Sequence, residues 1–148
     1  RNAVIAKNED EKRGLWAIRE SIPEAQFANV KHDISVPISK IPEFIARAGS
    51  ALLAVAPQLD IYCFGHVGDG NLHYNVGDAA LVARRDEVSR IVYEAVDAFG
   101  GSISAEHGLG QLKRAEIARH KPAIELELMR TVKHALDPQG LMNPGKVI

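Results

Sequence analysis

Two apolar runs, Leu59 to Val67 and Leu72 to Val76, are separated by Gly68-Asp69-Gly70-Asn71. Asp-Gly between apolar runs is a strong local signal for a β-hairpin, because a tight hairpin turn demands positive φ at its centre and few residues accept it. With Asp69 and Gly70 as the two central residues of a type I′ turn, Gly68 faces Asn71, Val67 faces Leu72, His66 faces His73 and Phe64 faces Asn75. Alternation then puts Ile61, Cys63, Val67, Leu72, Tyr74 and Val76 on one face, and Tyr62, Phe64, His66, His73 and Asn75 on the other. The first set needs covering by other elements. The second is too polar to be a core.

The flanking sequence supplies the cover. A helix is predicted from Asp10, which can cap it, to Ser21, with Pro23 beyond its end. Phe27 to Val36 reads as a strand stopped by Pro37. From Ser39 to Ala56, Ile41, Ile45, Ala48 and Leu52 recur at helical spacing, and Pro57 ends the run. After the hairpin, Asp78 can cap a helix whose stripe is Val88, Ile91, Val92, Ala95 and Phe99, with Gly100-Gly101 as terminator. A short strand, Ser102 to Ser104, follows, then helices from Gly110 to His120 and from Pro122 to Leu136. The expected fold is α+β: a ferredoxin-like βαββαβ unit with an antiparallel sheet, plus extra C-terminal helices.

Composition narrows the function classes. The chain has 148 residues, 46% hydrophobic and 25% charged, as expected of one globular domain with a real core. A net charge of -1 gives no field for nucleic acid, and the strands lack the aromatic pair and basic surface of RNA-binding modules. No apolar run approaches the ~20 residues of a membrane span. The single cysteine, Cys63, excludes an internal disulfide framework, fits a reducing compartment and sits in an apolar run as a core residue. The opening Arg1-Asn2-Ala3 carries neither Met nor a signal-peptide pattern, and is expected to be cut from a longer chain.

The polar face of the hairpin holds the chemistry. Two imidazoles directly opposed across strands lie with Cβ atoms ~4.5–5.5 Å apart and can converge on one ion. Ser104-Ala105-Glu106-His107-Gly108 closes the last strand of the same sheet. Two His and one carboxylate leave open positions on an ion, as catalytic sites require. Glu106 and His107 are chain neighbours, so both can serve one site only if the chain turns there, which Gly108 and Gly110 permit. Solvated histidines and a helix-capping Glu106 would explain the same residues without an ion. His32, His120 and His134 are expected at the surface or in capping positions.

Gly65-His66-Val67-Gly68-Asp69-Gly70-Asn71-Leu72-His73, followed by Ser104-Ala105-Glu106-His107-Gly108 and by the closing run from Asp137 through Asn143-Pro144-Gly145-Lys146, resembles the C-terminal domain of the FAD-linked oxidases. That group includes D-2-hydroxyglutarate dehydrogenase, the glycolate oxidase flavoprotein subunit and D-lactate dehydrogenase. The resemblance spans essentially the whole chain. It implies that residues 1–148 are part of a substrate- and metal-binding C-terminal domain, with the flavin-binding domain absent. It also implies that His66, His73 and Glu106 hold a divalent ion, zinc being the usual one, and that His107 is the catalytic base. Asn75, Arg19 and Lys31 match substrate contacts, and Asn143 and Lys146 match tail positions that approach the FAD.

The expected function is thus a share in a flavin-dependent oxidation of a 2-hydroxy acid, of D configuration, to the 2-oxo acid. The flavin is the two-electron acceptor, since no side chain can accept electrons reversibly in that way. The fragment by itself is expected to be inactive. Expected partners are the hydroxy acid, an electron acceptor and the flavin-binding domain of the parent chain; a homodimer stays open. The expected location is cytoplasmic, with the intact enzyme at the periphery of the inner membrane as a variant. Two other classes remain at this point. A metal-dependent hydrolase could use the same His66, His73 and Glu106 with an activated water. A ferredoxin-like small-molecule binding module would need no ion.

Overall fold

Strand β4 (Asn71–Gly77) pairs on both of its edges and carries the rest of the sheet. The computed structural model describes residues 3–23, 29–66, 68–77 and 79–148. On one edge β3 (Asp60–His66) runs antiparallel, from Asp60 opposite Gly77 to His66 opposite Asn71. On the other lie β1 (Asn29–Val30) and β2 (Asp33–Ser35), also antiparallel. These two share one register, with Val30 opposite Val76 and Asp33 opposite His73. Between them the Tyr74 N–H donates to the His32 carbonyl at 2.9 Å, so residues 29–35 form one line of extended chain. Beyond it Ser35 bridges Ser102.

Helices α2 (Ile41–Val55) and α4 (Arg85–Ala98) pack on each other and share the core with one face of this sheet. Pro42 stands at the start of α2, where its missing N–H costs nothing. Phe44, Ala48 and Leu52 of α2 and Val88, Val92 and Val96 of α4 meet Val30, Ile34, Leu72, Tyr74 and Val76. The order of extended segment 29–35, α2, β3, β4, α4 and then the bridging segment at Ser102 follows the α+β ferredoxin-like arrangement expected from the sequence. Helices α1 (Glu9–Glu20), α3 (Ala79–Val82), α5 (Arg114–His120) and α6 (Ala123–Leu136) lie outside it. No helix among the described residues is long and apolar enough to cross a membrane.

Several expectations need correction. The hairpin turn is not a two-residue turn: four residues, 67–70, separate His66 from its partner Asn71. His73 therefore faces Phe64 rather than His66, and Asn75 faces Tyr62 rather than Phe64. The cause is local. The Asp69 carboxylate accepts the Asn71 N–H at 2.9 Å, and the Asp69 N–H reaches the His66 carbonyl at 3.3 Å, so the aspartate closes a longer turn through its own side chain. Gly70, at φ 78°, brings its carbonyl to within 3.1 Å of the Val36 N–H, where a Cβ would overlap the Val36 carbonyl oxygen. The register slips by two, so the faces are preserved.

Helix α1 is capped by Asn8, which accepts the Glu11 N–H at 2.9 Å, while Asp10 pairs with Arg13 inside the first turn. The expected helix after the hairpin is two, α3 and α4, and Asp78 lies outside the described residues, as do Phe27 and Val67. Ile45 faces solvent, and Gly49 is buried in its place. The expected strand Ser102 to Ser104 is reduced to the single bridge to Ser35. His134 is exposed as expected, but His120 is largely covered between Asp97 and Glu116.

His32 is the larger correction: it is 1% exposed. In the strand it points to the core face, between Val30 and Ile34. Its Nδ1–H donates to the Tyr74 carbonyl at 2.8 Å, so its Nε2 accepts from the Ser89 hydroxyl at 3.1 Å, and Tyr93 meets the ring edge-on. Burial pushes its pKa down to about 4, against the opposing pull of the Tyr74 carbonyl; the imidazole is neutral at pH 7.

Two outcomes follow. Between pH 6.5 and 4 the unfolded chain binds a proton at His32 that the folded chain refuses. Its contribution to stability is thus complete above pH 6.5 and falls away towards pH 4, by about 3 kcal/mol. Urea denaturation across this range should show a slope that His32→Gln flattens; an unchanged slope would remove His32 as its source. At Gly101 a Cβ would overlap the Ser35 carbonyl oxygen and press on Val96 and Val36. Gly101→Ala should lower stability by about 1–3 kcal/mol in the same denaturation experiment.

Candidate active site

The face of the sheet turned away from α2 and α4 is polar, and a cleft of about 670 Å³ opens over it. Strand alternation places Lys31, Asp33, Phe64, His73 and Asn75 on this face, and the turn at 104–108 brings Glu106 and His107 to its wall. All seven line the cleft, with Lys113 completing it. Lys113 donates to the Ile103 carbonyl at 2.7 Å, and burial pulls its pKa down against the attraction of Asp33.

Sequence reasoning passed over the residue that organises the cleft. Asp33 is 4% exposed. Its Oδ2 accepts three successive backbone N–H groups, from Ala105 at 3.2 Å, Glu106 at 2.8 Å and His107 at 2.9 Å, while its Oδ1 accepts the Asn71 side-chain amide at 3.0 Å. Burial alone would raise its pKa. The hydrogen bonds from His107, Glu106 and Asn71 outweigh that and hold the carboxyl below the ordinary carboxylate range. The signal lay in the period of two: a residue two positions from Lys31 on the same strand shares its face.

The turn points two side chains inward. The Glu106 carboxylate lies 3.8 Å from His73 Nε2, and the His73 and His107 rings have centroids 5.9 Å apart. His107 Nδ1 is 3.8 Å from Asp33 Oδ2, and its side chain is 68% exposed and thus open to a ligand. Phe64 stacks at a tilt on His73, 5.1 Å between centroids, and limits its rotation.

The remaining sequence-derived residues are spread more widely. His66 is exposed at the end of β3 and does not line the cleft; its Nε2 accepts a hydrogen bond from Arg19 of α1 at 2.9 Å. Arg19, in turn, lies over the Trp16 ring. Lys31 is exposed at the cleft, and Asn75 is buried with its Oδ1 3.4 Å from the His32 N–H. Asn143 and Lys146 are exposed on the tail beside Leu128 and Val132 of α6, away from the cleft. The tail is nonetheless tied to the cleft wall, because the Val147 N–H donates to the Gly110 carbonyl at 3.0 Å.

An ion held at ~2.0–2.2 Å by nitrogen and oxygen needs donors roughly 3.3 Å from each other. His73 and Glu106, at 3.8 Å, fit as two such donors with little movement. His66 requires a change of partner first. Among the described residues, the three metal-capable groups that lie mutually within 4.8 Å are Asp33, Glu106 and His107, but both oxygens of Asp33 are already occupied by N–H donors. The donor chemistry fits a divalent ion, and two of the three expected ligands converge.

Known proteins resemble this chain along nearly its whole length. Residues 1–147 match the family model described as FAD linked oxidases, C-terminal domain. A D-2-hydroxyglutarate dehydrogenase of Xanthomonas citri pv. viticola is 42% identical over 99% of this chain and 33% of its own length. One from Stutzerimonas stutzeri is 36% identical over the same shares, 99% and 33%. The mitochondrial D-2-hydroxyglutarate dehydrogenase of Danio rerio is 37% identical over 99% of this chain and 28% of its own. The chain therefore spans about a third of the length of the curated relatives it matches. The chain belongs to the FAD linked oxidase family, as its C-terminal domain.

Proposed function

We propose that the intact protein is a flavin-dependent dehydrogenase that converts a D-2-hydroxy acid to its 2-oxo acid, and that this domain holds the substrate and accepts its proton. The observation that carries the reading is the single cleft in which His107, the His73–Glu106 pair, Lys31 and Asn75 meet. The relatives' names make D-2-hydroxyglutarate the first acid to test.

The flavin, when bound, supplies the acceptor for the hydride that leaves the substrate Cα. A divalent ion, when bound by His66, His73 and Glu106, supplies Lewis acidity that lowers the pKa of the substrate hydroxyl. His107 takes the hydroxyl proton; an imidazole is matched to that task near neutral pH. Lys31 offers a point charge to a carboxylate, and the Asn75 amide faces the same space. Arg19 can offer a planar fork to a carboxylate once it leaves His66. The exposed Asn143 amide and Lys146 ammonium, beside the apolar wall of Leu128 and Val132, suit the polar edge of a flavin held by another domain.

The test uses the full-length flavoprotein. D-2-hydroxyglutarate or D-lactate should bleach its visible flavin absorbance under anaerobic conditions, and failure with every D-2-hydroxy acid would overturn the reading. His107→Ala should lower the rate of flavin reduction by about 10²–10⁴ with ion content retained. His66→Ala and Glu106→Ala should lose ion and turnover together. Full turnover and full ion content in His66→Ala would reject the three-ligand assignment. The isolated domain should turn over no hydroxy acid with a dye acceptor.

A further inference from the structure

We propose that Asp33 is the positioning residue of this site: its buried carboxylate folds the 104–108 turn around itself and so fixes where His107 and Glu106 stand relative to His73. The inference rests on the function proposed above, because it gives a task to a residue that acts through His107.

Backbone pairing holds only the entry to this turn. Beyond the bridge between Ser35 and Ser102, one long backbone bond runs from the Ala105 N–H to the Asp33 carbonyl at 3.3 Å, and Glu106 and His107 make no backbone bond to the sheet among the described residues. Within the turn, the Ser104 hydroxyl donates to the Gly108 carbonyl at 2.7 Å, which closes the loop without orienting it. What orients it is the convergence of the N–H groups of residues 105, 106 and 107 on one oxygen of Asp33. Three successive N–H groups aimed inward form an anion-binding concavity, and here the anion is a side chain of the neighbouring strand. Hydrogen bonds to an ionised acceptor are roughly twice as strong as neutral ones, so the charge itself defines the turn.

The carboxylate is held as firmly as it holds. Asp33 lies in β2, directly opposite His73 of β4, and its second oxygen is anchored by Asn71 at the start of β4. One buried group thus ties β2, β4 and the turn together. His73 and the two turn residues that approach it are referred to the same point. The Asn71 side chain spends its amide on Asp33, and its own Oδ1 has no hydrogen-bond partner among the described residues. That unfilled acceptor means an Asn at position 33 can be accommodated: the Asn71 amide rotates and accepts from the new NH₂.

Asp33→Asn is therefore the informative variant in the full-length flavoprotein. It keeps the shape and one acceptor oxygen and removes the charge. We expect kcat to fall about 10–100-fold, with KM, flavin content and thermal midpoint close to wild type. Asp33→Ala should lose more activity and also stability. In a His107→Ala background, Asp33→Asn should cost much less than in wild type, because a positioning residue has little left to position; such non-additivity is the signature of coupled residues. Wild-type kcat in Asp33→Asn, in a protein where His107→Ala is impaired, would overturn the proposal while leaving the function standing. Equal losses from Asp33→Asn in both backgrounds would also overturn it, by showing a general structural role. An unimpaired His107→Ala would reject the function itself.

Discussion

The sheet, the core under it and the cleft over it are all referred to one strand, β4. Because β4 is paired along both edges, its seven residues fix the register of β3 and of 29–35 together. Alternation along it then divides the molecule. Leu72, Tyr74 and Val76 close the core with α2 and α4, and His73 and Asn75 face the cleft. Core and site are the two sides of the same seven residues.

This explains what could be read from the sequence and what could not. The hairpin, its apolar face and its histidine face were legible because they depend only on a period of two. The partner of each residue was not, because it depends on turn length. Asp69 uses its side chain to close a four-residue turn where the Asp-Gly pair suggests two. A slip of two residues leaves every face correct and every pair wrong. The separation of His66 from His73 is the visible result.

Other losses have the same character. His32 stands in locally polar chain, between Lys31 and Asp33. Its strand alternates, so it falls among Val30 and Ile34 and must find its partners inside, in the Tyr74 carbonyl and Ser89. Asp33 was passed over for the converse reason. A carboxylate on the site face of an edge-proximal segment looks solvated until the returning turn covers it. Long-range closure of that kind, between residues 33 and 105–107, leaves no local trace in sequence. The Glu106-His107 pair was legible as chemistry, but its geometry belongs to Asp33.

The contact between Arg19 and His66 bears on whether His66 can serve as a ligand. Helix α1 buries none of its residues, and Trp16 and Ile18 stand 50% and 68% exposed. It is therefore held in place by little apolar burial, and its position is easily exchanged. The hydrogen bond from Arg19 to an exposed imidazole is worth on the order of 1 kcal/mol net. The gain from adding one more ligand to a divalent ion has to exceed that cost. Under the function proposed above, His66 joins His73 and Glu106 only when the arginine is displaced. A displaced guanidinium would remain on α1, positively charged and without its imidazole partner. A substrate carboxylate is the partner its planar fork matches best. The Arg19–His66 contact is thus compatible with both residues having the roles proposed for them, each becoming available as the other lets go.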